Sequence, residues 1–201
     1  MGFVSRGFRG KRRETATSGR LPPGQYLVND YPVLSAGPTP RPDLDKWTFS
    51  ITGEIDKPKT WTWKEFLALP TENVTKDIHC VTKWSKFDTM WKGVSVDLLF
   101  EGVETAAEYT TQVSFGGYTT NLPLEDLMDG KAWIVYEYDG QPLPPEHGGP
   151  ARMLVPHLYF WKSAKWIKEI RLDKEQQPGF WETNGYHIYG DPWREQRYWG
   201  D

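Results

Sequence analysis

The stretch LPPGQYLVNDYPVLSAGPTPRPD, residues 21–43, constrains the fold more than any other part of the chain. It holds Pro22, Pro23, Pro32, Pro38, Pro40 and Pro42. Each proline lacks the N–H that a helix interior or a central strand needs. The segment reads as extended chain laid over a domain surface. A second proline-rich stretch, GQPLPPEHGGPARMLVP (140–156), is stiffened by Pro and allows close backbone approach at its glycines.

Regular structure fits between and after these stretches in short pieces. In WTFSITG (47–53), Trp47, Phe49 and Ile51 alternate onto one side, as in a half-buried strand. TWKEFLALP (62–70) opens on Thr62 with Glu65 three residues later, a capping box, and Pro70 closes the short helix. NVTKDIHCV (73–81) has strand character, which turns His79 and Cys80 to opposite sides. SVDLLFEGV (95–103) reads as a helix capped by Ser95 and ended by Gly102. YTTQVSF (109–115) and AWIVYEY (132–138) are strands, with a helical turn over PLEDLM (123–128) between them and a turn at Asp139-Gly140. ARMLVP and KWIKEIRL add two more strands, and the last thirty residues are irregular. Strands and short helices mix without a βαβ rhythm, which makes the fold α+β with mixed β-sheets.

A chain of 201 residues can bury a real core, as one large domain or two small ones. The formal charge of −3 gives no case for nucleic acid. The single cysteine excludes a disulfide framework and a cysteine zinc cluster. Residues 1–20 are basic and rich in Gly, and read as a flexible tail before a domain over 21–201. They lack the apolar run of a signal peptide, and no stretch approaches the ~20 apolar residues of a membrane helix, so the expectation is a cytoplasmic protein.

Three clusters offer chemistry. Cys80 alone leaves three readings open: a small core residue, a nucleophile, or a metal ligand. His147 and Arg152 stand at a fixed spacing in the second proline-rich loop, where they could hold an anion. In YFWKSAKWIKEI (159–170), Lys162, Ser163 and Lys165 suit a phosphate, against the alternative of a solvated charged face.

These clusters, in this order, resemble the molybdopterin-binding oxidoreductases of the sulfite oxidase family. The most specific part is VYEYDGQPLPPEHGGPARMLVPHLYFWKSAKWIKEI (135–170), and the detailed resemblance covers about residues 30–190. CVTKWS (80–85) and WKGVSVDLLF (91–100) look like the family's cysteine loop and following helix. The C-V-x-x-W-S form is nearer to the branch that reduces protein methionine sulfoxide than to sulfite oxidases proper. The resemblance implies a single sulfite-oxidase-type domain binding one molybdenum-molybdopterin, with Cys80 as the thiolate ligand to the metal; a soft ligand suits such a centre. The same pterin can carry tungsten, and sequence does not separate the two. His147 and Arg152 align with cofactor contacts, and Ser163, Ala164 and Lys165 with the run that holds the pterin phosphate. Tyr186, five residues after Trp181, takes the place of the family's active-site tyrosine.

The departures bear on substrate. Sulfite oxidases carry Arg-Asn-His where this chain has Leu34, Ser35 and Ala36, and an Arg where it has Ser85. Those arginines build a sulfite pocket, so the expected activity leans to oxygen-atom transfer from a sulfoxide or N-oxide, with sulfite-like oxidation of a small sulfur anion as the alternative. Lys83, Lys86 or Lys92 could replace some of the missing charge. The sequence holds no haem-binding domain, so a separate electron-transfer partner is expected beside a small-molecule substrate. Two rival readings are a Trp-rich binding module, for instance for a carbohydrate, and a thiol enzyme using Cys80.

Overall fold

The computed structural model describes residues 19–201, and most of the basic tail lies outside them. From Arg20 onward the chain is tied down. The Arg20 guanidinium donates to both carboxylate oxygens of Asp77, at 2.9 and 2.6 Å, and to Asp88 at 2.7 Å.

Two sheets organise the domain. The first has six strands: β1 (Tyr26–Leu27), β4 (Glu72–His79), β5 (Trp84–Ser95), β8 (Trp133–Tyr138), β9 (Gln141–Pro142) and β10 (Arg152–Leu154). β5 pairs with β4, with β8 and, in parallel, with β1; β8 then pairs with β9 and β10. The second sheet runs β3 (Lys59–Thr62), β2 (Thr48–Gly53), β11 (Ile167–Asp173), β6 (Tyr109–Ser114), β7 (Thr119–Pro123). Its one parallel pair is β2 with β11, which makes this sheet mixed as well. The helices are one-turn pieces: α1 (Trp63–Leu67), α2 (Val96–Phe100) and α3 (Phe180–Thr183).

Local chemistry accounts for most of these elements. The capping box at α1 is complete: Thr62 Oγ1 accepts from the Glu65 N–H, and Glu65 returns the bond to the Thr62 N–H. Ser95 stands at the N-cap of α2, but its hydroxyl bonds Asp97 instead of a backbone N–H. Asp139 and Gly140 both take positive φ, 49° and 72°, as a tight hairpin turn between β8 and β9 requires. Residues 21–43 form no regular element except the two-residue β1, and otherwise run as irregular chain with a turn at 23–24 and bends at 29–30 and 36–37, in line with their prolines.

Two apolar clusters share the first sheet. Phe49 and Ile51 from β2, with Trp47 just before it, pack with Phe66, Leu99, Ile134 and Met153 in one of them. Ile78, Cys80, Trp84, Trp91, Val135 and Leu154 belong to the other. Neighbours on β8 and β10 therefore serve opposite faces, Ile134 and Met153 one, Val135 and Leu154 the other. Both faces of these strands are covered, which explains why AWIVYEY runs apolar without alternating. The longest strand, β5, has no expectation behind it in the sequence. Asp88 at φ 53° and the extra residue that β5 carries opposite Lys76–Ile78 of β4 break its period of two, while opposite β8 the extra residue is Tyr136, on β8 itself.

Candidate active site

Beside the second cluster a cavity of about 610 Å³ opens. Four separated parts of the chain build it: the proline-rich segment 31–40, the turn after β4, residues 116–118 between β6 and β7, and residues 152–186. Cys80, Arg152, Ser163, Lys165 and Tyr186 all line it.

Cys80 sits one residue past the end of β4, and it is 7% exposed. The Cys80 N–H donates to the Trp84 carbonyl (2.8 Å), and its own carbonyl accepts from the Lys83 N–H (3.0 Å). Lys83 closes this turn with φ of 77°. Gln25 clamps it from 55 residues away. Its Nε2 lies 3.1 Å from the Cys80 carbonyl, 3.0 Å from the Trp84 carbonyl and 3.1 Å from Ser85 Oγ. Arg197 in turn donates to Gln25 Oε1 at 3.0 Å. His79 and Cys80 part as strand neighbours should: Cys80 lines the cavity, while His79 Nδ1 bonds Ser85 Oγ at 2.8 Å. Burial pushes the Cys80 thiol up, and hydrogen bonds from Thr82 oppose that shift.

Arg152 is 1% exposed and has no carboxylate partner. Its donors go to Tyr31 Oη (2.9 Å), to the carbonyls of His147 and Ser163 (2.8 Å each), and to its neighbour's carbonyl, while the Phe160 ring lies 4.0 Å from the guanidinium carbon. Lys165 Nζ donates to the carbonyls of Leu34 and Glu146, again not to a carboxylate. Burial, and then the charge of Arg152, pull the Lys165 ammonium down to about 7. His147 stacks on Tyr31 with ring centroids 3.8 Å apart. Burial, with Lys165 and Arg152 nearby, holds its imidazole at about 4, so it is neutral at pH 7.

Ser163 and Ala164 act mainly through the backbone. Ser163 Oγ accepts from the Val155 N–H at 2.9 Å. Ala164 is wholly buried and does not reach the cavity wall. Its N–H donates to Gln112 Oε1 and its carbonyl accepts from the Met153 N–H, at 2.9 Å each. Both of its backbone groups fix the neighbouring residues in place. Lys162, expected beside a phosphate, turns the other way. Its ammonium is fully buried 2.6 Å from Glu182 Oε1, which ties the turn before Ser163 to α3.

Tyr186 stacks on Trp181 (4.8 Å) and meets Trp161 edge-on (5.1 Å). Burial raises its hydroxyl, as do Tyr198 and Cys80, so it stays protonated at neutral pH. Phe180 and Leu34, both partly exposed, complete an apolar rim. Lys83, Lys86 and Lys92 do not line the cavity. Lys86 bonds the Asn29 carbonyl and Lys92 pairs with Glu137. Ser85 is wholly buried under the turn.

Sequence reasoning missed Tyr31, Thr82, Trp84 and Gly117, which also line the cavity. Thr82 and Trp84 lie within the C-V-x-x-W-S stretch already singled out, and Gly117, at φ 82°, had its own signal, a Gly pair in a short hairpin.

The donor set fits a phosphate-bearing pterin with a thiolate-bound metal. No Asp or Glu lines the cavity, so Arg152 and Lys165 leave local positive charge that an anionic group would balance. Of the buried side-chain nitrogens without a partner among the described residues, two belong to this region: Trp84 Nε1, on the cavity wall, and His147 Nδ1, on the ring stacked against Tyr31. Orphaned buried polar atoms are rare in a finished fold and call for a ligand or water.

Comparison with known proteins agrees. Residues 36–181 match the family model of the oxidoreductase molybdopterin binding domain. The chain is 45% identical to the uncharacterized oxidoreductase YuiH of Bacillus subtilis, over 94% of this chain and 97% of that one. It is 30% identical to the protein-methionine-sulfoxide reductase catalytic subunit MsrP of Campylobacter jejuni, over 74% of this chain and 56% of that one. The chain thus spans nearly all of the first relative and little more than half of the second. Among solved structures, the sulfane dehydrogenase SoxCD from Paracoccus pantotrophus has a similar fold, with a TM-score of 0.61 at 18% identity, over 68% of this chain and 40% of that one.

Proposed function

Since the chain belongs to the oxidoreductase molybdopterin binding domain family, and is a sulfite-oxidase-type enzyme with a molybdenum-molybdopterin cofactor, we propose that it reduces a sulfoxide or N-oxide by oxygen-atom transfer. The net reaction takes two electrons and two protons, and gives the sulfide or amine and water. When bound, the cofactor supplies the two-electron exchange and accepts the oxygen atom.

In this reading Cys80 supplies the thiolate that anchors the metal. Arg152 and Lys165 balance the negative charge of the cofactor's phosphate, Ser163 shapes the wall around it, and His147, itself off the wall, backs Tyr31 by stacking on it. Tyr186, protonated at neutral pH, donates its hydroxyl hydrogen to the substrate oxygen and holds it over the site. Trp161, Trp181 and Phe180 give the entrance an aromatic surface for the organic part of the substrate. Electrons come from a separate protein donor.

The observation that carries the substrate class is the fate of the cations. The one guanidinium on the cavity wall, Arg152, spends its donors on neutral protein oxygens, and Leu34, Ser35 and Ala36 stand where an arginine-bearing run would be. With Arg152 and Lys165 balancing the cofactor's phosphate, no further cation lines the cavity among the described residues, and a neutral oxide is easier to admit than a small dianion. Among the described residues no helix is long and apolar enough to cross a membrane. The test is steady-state turnover of the metal-loaded enzyme, with a reduced viologen on dialkyl sulfoxides and amine N-oxides, and with an oxidising dye on sulfite. Turnover of sulfite alone would overturn the proposal.

A further inference from the structure

The turn that carries Cys80 also aims a hydrogen-bond donor at its sulfur. Thr82 Oγ1 lies 3.1 Å from Cys80 Sγ. In the thiol state either side chain of the Cys80–Thr82 pair can be the donor. A metal-bound thiolate has no hydrogen of its own, so there the hydroxyl must donate.

Thr82 is not placed there by chance contact. It is the middle of a turn closed by the Cys80–Trp84 and Lys83–Cys80 backbone bonds, and Gln25 spans the two ends of that turn. A β-branched side chain on such a fixed backbone has few rotamers to choose from. No carboxylate on the cavity wall competes for the hydroxyl.

We propose that Thr82 is a positioning residue that acts through Cys80. Its hydroxyl holds the sulfur by a hydrogen bond and thereby sets how strongly the thiolate donates to the metal. This inference rests on the reading of Cys80 as the metal ligand. A hydrogen bond to a ligand sulfur withdraws electron density from the metal, which disfavours the oxidised state and raises the reduction potential. Thr82 thus sets the poise of the centre through the ligand sulfur.

The test uses metal-loaded protein in four forms: wild type, Thr82→Val, Thr82→Ser and Cys80→Ser. Metal and pterin content, the paramagnetic signal of the half-reduced metal, its potential, and the split between kcat and KM are measured on each. Thr82→Val keeps the shape and loses the hydroxyl. It should retain metal and shift the one-electron equilibrium about tenfold toward the oxidised side, a potential lower by ~59 mV. Thr82→Ser should restore the wild-type value.

A Thr82→Val potential equal to wild type overturns the inference, whether or not KM moves, provided that Cys80→Ser alters the signal. If Cys80→Ser keeps both the metal and the wild-type signal, the reading of Cys80 as ligand fails first. Thr82→Ala gives a second deletion. Loss of metal from both Val and Ala variants, with the Ser variant normal, would mean that the hydroxyl serves only to build the turn, and would also overturn the inference.

Discussion

Replacing Gln25 by Ala tests whether the Cys80 turn is held from outside. The amide Nε2 has two hydrogens and faces three acceptors, the carbonyls of Cys80 and Trp84 and the Ser85 hydroxyl, all within 3.1 Å. At most two of those bonds can be well aligned. Both carbonyls keep one backbone partner after the change, because Lys83 and Cys80 still donate to them. The loss is therefore two ordinary buried hydrogen bonds, at ~1 kcal/mol each. Arg197 adds the loss of its bond to Gln25 Oε1 but keeps the Pro23 carbonyl and Glu195. The sum is about 2–3 kcal/mol, since Gln25 is 7% exposed and water cannot readily replace it. Equilibrium denaturation of the metal-free protein reads this as a lower midpoint at unchanged slope. A midpoint within error of wild type would refute the clamp. Gln25→Glu, which keeps an acceptor for Arg197 but sets a carboxylate against two carbonyls, should cost at least as much.

The other predictions concern the remaining charges and the tyrosine. Lys162→Met strands Glu182, which is 1% exposed and bonded to Thr120 and Trp161 as well, and should cost about 3–5 kcal/mol in denaturation. The double variant Lys162→Met/Glu182→Leu should recover part of that, which a double-mutant cycle would show. Lys165 titrates near 7 in the folded protein and near 10.5 when unfolded, so between these values the unfolded chain holds more protons. Its contribution to the stability of the metal-free protein therefore rises with pH from about 7 toward 10.5; Lys165→Met should flatten that part of the curve, seen as the difference between denaturation midpoints at pH 7 and pH 9.5. Tyr186→Phe should leave metal content unchanged and lower kcat/KM by about tenfold, the loss of one hydrogen bond made to the reacting oxygen; an unchanged kcat/KM would remove the tyrosine from the reaction.

What the sequence revealed followed from how local each signal was. Thr62 and Glu65 are three residues apart and close a capping box whatever surrounds them, so α1 was visible. Trp47, Phe49 and Ile51 alternate because β2 has one face in the core, so that strand was visible too. β5 was not, because its pattern answers to long-range demands. It pairs with β4 along one edge and with β1 and β8 along the other, and the extra residue it carries opposite β4 shifts its alternation partway along. The site divides in the same way. Cys80, Arg152, Lys165 and Tyr186 were legible through a resemblance whose motifs are contiguous, and the fold brings all four to one cavity. Ala164 was legible only as a letter in a motif; that its N–H belongs to Gln112 depends on a residue 52 positions away. Gln25 and Tyr31 lie in the proline-rich segment, which has no period to read, yet one clamps the cysteine turn and the other stacks on His147 and accepts from Arg152. Proline denies that segment a ladder of its own and leaves its side chains to serve the site. A stretch that reads as covering is thus a wall of the active centre, because a chain that cannot pair with itself is free to lie along groups that need partners.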